Sequence, residues 1–174
     1  MMFIGDSITQ GMTSSSPCMI YPAQLALALK YDFHNIAVGG ATMRGEVGEM
    51  ALALDWDDAV IAFGINDFNQ GRPLEDITND TVRMLKALTK RKNAKIYLLT
   101  PIPWAERTEP NALGLSVQDY RNTIAAAAGG FATVTVIDGA GLVPDDSSYF
   151  VDCVHPNEAG AEAYAENLLK FFEI

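Results

Sequence analysis

The sequence is short of basic charge, histidine, cysteine and long apolar runs, and each shortage narrows what the chain can be. Lysine and arginine total 12 against 22 acidic residues, a formal net charge of -10 over 174 residues. Such a surface repels polyanions, which argues against nucleic acid and anionic bilayers as partners and favours neutral or cationic substrates. No stretch approaches the roughly 20 apolar residues needed to span a bilayer. The uncharged, apolar-rich stretch Ile124 to Ile137 is interrupted by Gly129-Gly130 and reads as a helix end followed by a strand.

The N-terminus lacks the basic start, apolar stretch and small-residue cleavage site of a secretory signal, so a cytoplasmic location is expected for the chain as it stands. Removal of a leader ahead of Met1 would instead make it extracytoplasmic. Of the two cysteines, Cys18 and Cys153, reduced thiols are expected rather than a disulfide, although both fall in loops at the same end of the sheet. There is no internal repeat, low-complexity segment or linker. A hydrophobic content of 49% in 174 residues suffices for one well-buried core, so residues 1–174 are expected to form a single domain.

What is present is a repeated alternation of short β-branched or aromatic runs, polar or glycine-rich loops, and segments with helical apolar spacing. Alternation of this kind gives an α/β protein with a parallel sheet covered by helices on both faces. Strands are predicted near Met1–Ile4, Phe33–Val38, Ala59–Phe63, Lys95–Thr100 and Val134–Ile137. Leu74–Lys92 places Ile77, Thr81, Leu85 and Leu88 on one stripe, and Asn157–Phe172 does the same with Tyr164, Leu168 and Phe171. Pro22–Lys30, Ser116–Ala128 and Gly45–Leu54 are further helical segments. The stretch Pro101–Leu115 carries three prolines and no period, the mark of a long functional loop. In an open parallel sheet, ligands bind beyond the carboxyl ends of the strands, so the loops starting at Gly5, Gly39, Gly64, Pro101 and Asp138 should meet at any site.

Four of these loops carry residues with chemical potential. Gly5-Asp6-Ser7-Ile8-Thr9-Gln10-Gly11 follows the first strand and exposes a serine where a turn begins; a Ser/Thr-rich loop there could equally hold a phosphate. It is not the Gly-x-Ser-x-Gly elbow, because Thr9 replaces the second glycine. A serine hydroxyl needs a base, and only two histidines exist. His34 lies within a predicted strand and reads as a packed or edge residue. His155 stands three residues after Asp152, near enough for the carboxylate to orient the imidazole; solvated loop residues are the alternative. Pro156 and Asn157 read as a stiffened helix entry with Asn157 as N-cap. Gly39-Gly40 can bring a backbone N–H to an oxyanion or simply make a tight turn. Asn66, in Gly64-Ile65-Asn66-Asp67, can donate a side-chain N–H or form an Asx-turn. Asp6 and Asp67 read as acceptors of loop N–H bonds, and Cys153 as a filler thiol.

Taken together, Phe3 to Gly11, Asn35-Ile36-Ala37-Val38-Gly39-Gly40-Ala41-Thr42, Gly64-Ile65-Asn66-Asp67 and Asp152-x-x-His155-Pro156 resemble, in order, the four blocks of the SGNH-hydrolase (GDSL esterase) superfamily, from Phe3 to about Ala163. The resemblance implies a flavodoxin-like three-layer α/β/α fold of about five parallel strands. It implies metal-free, cofactor-free ester hydrolysis through an acyl-enzyme, with Ser7, Asp152 and His155 catalytic and Ser7 N–H, Gly40 N–H and Asn66 forming the oxyanion hole. Glycine at position 39, where members often carry serine, is expected to loosen that loop.

The family takes lipid esters, thioesters and acetylated sugars, so the substrate rests on weaker features. Short loops favour a shallow site and a short acyl group such as acetyl, with a lysophospholipase or thioesterase as the alternative. Trp104 is expected as a platform for a sugar ring, Glu106 and Arg107 as polar contacts, and Met43 and Arg44 as pocket borders. A small-molecule or carbohydrate ester is the partner this reading implies. A noncatalytic flavin-phosphate module explains the Ser7–Thr13 loop but neither Asn66 nor the Asp152–His155 pair. A phosphotransferase would want an acid at position 8, where Ile8 stands, and a noncatalytic interaction protein would be expected to have decayed blocks.

Overall fold

A computed structural model describes residues 1–172. The elements run β1 (Met2–Gly5), α1 (Ser7–Gln10), α2 (Tyr21–Leu29), β2 (His34–Asn35), α3 (Gly45–Ala51), β3 (Ala59–Ala62), α4 (Ile65–Asn69), α5 (Leu74–Leu88), β4 (Ile96–Leu99), α6 (Val117–Ala127), β5 (Val134–Ile137) and α7 (Glu158–Leu169). The sheet order is β2-β1-β3-β4-β5 and every pairing is parallel.

Side chains alternate across the strands with a period of two, and this splits the core in two. Met2, Ile4, Ile61, Ile96 and Leu98 meet Met84, Leu85 and Leu88 of α5 and Tyr120 and Ile124 of α6 on one face. Phe3, Val60, Tyr97, Leu99 and Ile137 meet Tyr21 and Leu25 of α2 and Tyr164 and Leu168 of α7 on the other. The result is the three-layer α/β/α sandwich that the alternation implied. Truncating one such buried Leu or Ile to alanine typically costs about 2–5 kcal/mol.

The register matters for function. Gly5 pairs with Ala62, Ala62 with Leu99, and Leu99 with Ile137, so four strands end in one row. The loops that follow are therefore delivered to a common edge.

Element boundaries shift modestly from the sequence expectations, and β2 shifts most. Its segment stays beside β1, since Ile36 N–H donates to the Phe3 carbonyl at 3.0 Å and Val38 N–H to that of Gly5 at 3.1 Å. Regular strand nevertheless ends at Asn35, whose carboxamide accepts from Ala37 N–H and donates to the Thr9 carbonyl, bending an edge with no outer neighbour. His34 is an exposed edge residue, as its place in the sequence suggested. Residues 101–115 contain no helix or strand, while the short helices α1 and α4 carry too few residues for a period to show.

Candidate active site

The serine is presented by an abrupt strand-to-helix turn. A side chain at Gly5 would collide with that of Thr9 and lie 2.8 Å from the Ala62 carbonyl, so only glycine lets α1 fold straight back over β1. Asp6 caps the helix by accepting from Ile8 N–H at 3.0 Å. Burial pushes its carboxyl up to about 7; the Ile8 N–H opposes this and the charge of Asp67 adds to it. Ser7 is the first helical residue, where a backbone N–H has no intrahelical acceptor. Among the described residues that amide has no partner.

The histidine is built from the other end of the chain. Val151 N–H donates to the His155 carbonyl at 2.9 Å and Asn157 N–H to that of Tyr149 at 3.0 Å, closing residues 149–157 into a tight loop. Inside it, Asp152 Oδ1 accepts from the N–H groups of Val154 (3.1 Å) and His155 (2.8 Å), with Cys153 in the left-handed region at φ 66°. Oδ2 lies 2.8 Å from His155 Nδ1. Burial opposes ionisation of Asp152, but the His155 N–H and imidazole, with the Val154 N–H, outweigh it and hold the carboxyl below the usual range. An ionised carboxylate only accepts, so Nδ1 carries the proton and Nε2 presents its lone pair. Nε2 sits 2.8 Å from Ser7 Oγ, across 148 residues of sequence. Asn157 caps α7 by accepting from Gly160 N–H, as its position predicted.

The glycine loop comes close to Ser7, since a Cβ built on Gly39 would lie 3.8 Å from that of Ser7. Gly40 has φ 76°, and its N–H has no partner among the described residues. Asn66, near the start of α4, donates one Nδ2 hydrogen to the Ala41 carbonyl at 3.0 Å, leaving the second free. Gly64 enters that helix at φ 117°, and a side chain there would approach Pro101 to 2.7 Å and Ile124 to 2.8 Å. Gly39 does not loosen its loop: its N–H donates to Gln10 Oε1 of α1 at 2.8 Å.

A buried polar network joins the two donor loops. Asp67 accepts from Met43 N–H with both oxygens (3.2 and 3.1 Å) and from Arg72 Nη1 at 2.6 Å. Arg72 also donates to the Met43 carbonyl at 2.7 Å and to Asp80 at 2.8 Å, and Asp80 takes Gly45 N–H at 3.0 Å. Burial pushes the Asp67 carboxyl up, against the pull of Met43 N–H and Arg72. Asp6 and Asp67 thus bind loop N–H groups, as their positions suggested. Arg72 and Asp80 carry no motif and nothing in the sequence marks them, while Gln10 lies within the first block with no role of its own assigned there.

Expectations change at the periphery. Met43 does not border the pocket with its side chain, which is 0% exposed and packed in the core, because Asp67 and Arg72 grip its backbone. Arg44 is exposed and lies 3.9 Å from Asp80. Trp104 is half-buried, edge-on to Phe68, and one indole face is covered by the Arg107 guanidinium at 4.2 Å, so that face is not an open sugar platform. Cys18 and Cys153 are both free thiols, as expected.

A parallel α/β/α sandwich with a hydroxyl, imidazole and carboxylate in series at the carboxyl edge is the architecture of a hydrolase acting on acyl groups. The chain belongs to the GDSL-like lipase/acylhydrolase family, whose model matches residues 3–163, and is accordingly an esterase or acylhydrolase. No curated protein gives a significant match. Among solved structures, the salicylyl-acyltransferase SsfX3 from a tetracycline biosynthetic pathway is 22% identical, with a TM-score of 0.77 over 96% of this chain and 52% of that one. The chain therefore spans about half the length of that protein. The psychrotrophic esterase EstA from Pseudoalteromonas sp. is 15% identical, with a TM-score of 0.76 over 97% and 93% of the two chains. A carbohydrate esterase family 2 enzyme with a carbohydrate binding domain, from Corynascus thermopiles (Myceliophthora fergusii), is 23% identical, with a TM-score of 0.76 over 97% and 64%. At these identities the likeness is one of fold.

Proposed function

We propose that this protein is a serine-dependent carboxylic ester hydrolase that works through an acyl-enzyme on short-chain, acetyl-type esters of a carbohydrate or similar polar alcohol. The observation that carries the reading is the 2.8 Å contact between Ser7 Oγ and His155 Nε2. Ser7 Oγ bonds to the ester carbonyl carbon while its proton passes to Nε2; Asp152 holds the resulting imidazolium. The carbonyl oxygen becomes an oxyanion facing the N–H groups of Ser7 and Gly40 and the free Nδ2 hydrogen of Asn66, each such donor typically contributing about 2.7–4 kcal/mol. Collapse expels the alcohol, which takes the proton from Nε2, and water repeats the sequence to release the acid.

The neighbour from Corynascus is a carbohydrate esterase, which agrees with a carbohydrate ester as substrate.

Hydrolysis of 4-nitrophenyl acetate and acetylated sugars by the parent and Ser7→Ala proteins tests the reading. Loss of about 10⁴-fold or more in kcat is expected; equal rates would end it. Faster turnover of the octanoate than the acetate would reject the short-acyl part.

A further inference from the structure

Arg107 stands apart from the other arginines. Arg44, Arg72, Arg83 and Arg91 each face a carboxylate, and Arg121 donates to the Pro101 carbonyl. Arg107 has neither kind of partner among the described residues, although acids outnumber bases 22 to 12. Its guanidinium instead sits over two rings, 4.2 Å from the Trp104 centroid and 4.8 Å from that of Phe68. An aromatic ring takes up none of the N–H groups that recognise a carboxylate.

Its neighbours belong to two elements that carry site residues. Phe68 follows Asn66 by two residues on α4. Ala105 N–H donates to the Cys153 carbonyl at 2.8 Å, inside the turn that carries Asp152 and His155. Residues 104–107 thus bridge the Asn66 helix and the His155 turn, and a stacked arginine on such a bridge is held in place before any ligand arrives. Screening confines the repulsion of the negative surface to about 8 Å at physiological salt, so a cation at contact distance decides recognition.

We propose that Arg107 forms an anion subsite that reads a carboxylate on the alcohol portion of the substrate, so that the preferred ester is an acetylated acidic sugar. This rests on the esterase reading, and binding separates the two. In Ser7→Ala protein, which leaves the ester intact, acetylated glucuronate and acetylated glucose are titrated against tryptophan emission, Trp104 being the reporter and buried Trp56 the constant background. The carboxylate should bind roughly five- to tenfold more tightly. Adding Arg107→Met should erase the difference, and Arg107→Lys should restore part of it at an unchanged melting temperature. Equal binding of the two sugars, or a preference that survives Arg107→Met, overturns the subsite. A carboxylate preference without any hydrolysis by the parent protein would instead sink the esterase and spare the subsite. Mono-4-nitrophenyl succinate tests the other placement: if the parent prefers it to the acetate while the sugars bind equally, the carboxylate is read on the acyl side and the proposal is wrong.

Discussion

Arg72 Nη1 lies 2.6 Å from Asp67 Oδ1 and, through the Met43 carbonyl, ties the glycine loop to the helix that carries Asn66. Two groups from loops 25 residues apart, Ala41 and Asn66, are kept in one geometry by this pair. Removing one partner leaves an uncompensated buried group, so Arg72→Met should lose about 3–5 kcal/mol of stability. Denaturant unfolding measures it. A loss below about 1 kcal/mol would show that the network holds nothing together.

Asp152 uses its two oxygens differently, and that makes its roles separable. Oδ1 builds the turn and Oδ2 faces Nδ1. Asp152→Asn keeps an acceptor for the turn but sets an N–H donor against the imidazole, so kcat should fall by about 10⁴-fold with little change in melting temperature. Asp152→Ala should lower both. If the Asp152→Asn protein keeps most of the parent kcat, the carboxylate does not orient His155.

Asp6 gives the fold an unusual pH dependence. Its folded-state pKa of about 7 lies above the ordinary 3.8, so the native state holds the proton more tightly than the unfolded chain. Its contribution is therefore greatest below 3.8 and is lost as pH rises from there through about 7. Asp6→Asn retains a cap for Ile8 and cannot ionise. Its melting temperature relative to the parent should rise between about pH 4 and about pH 8. A constant difference would contradict the shift.

Much of this architecture can be read directly from residues, and the limits have physical causes. Strand cores such as Val134–Ile137 stand out because β-branched runs end at glycine or aspartate, and α5 because its stripe is regular. Ser7, Gly40, Asn66 and His155 are visible because their motifs fall where strands end. Met43 is misleading because loop residues have no period to say which way they point; only the distant Arg72 turns its side chain inward. The same holds for Trp104, whose exposed face depends on where Arg107 rests. Contacts between irregular segments leave no trace in local spacing.

Thr81 gives an independent test of the core. On the buried stripe of α5 its hydroxyl is the one fully buried side-chain polar atom among the described residues without a hydrogen-bond partner. Thr81→Val keeps the shape and removes the orphan, so it should stabilise by about 1 kcal/mol and raise the melting temperature by roughly 2–4 °C. A lower melting temperature would mean that the hydroxyl is satisfied in solution.

The pairing of Ser7 with His155 spans 148 positions of the chain. Contacts so remote in sequence are slow to form, because a large loop must close before they bring any gain. A partly synthesised or partly refolded chain therefore holds a serine without its base. Recovery of hydrolytic rate during refolding should report docking of α7 onto the sheet, making turnover itself a clock for the last stage of assembly.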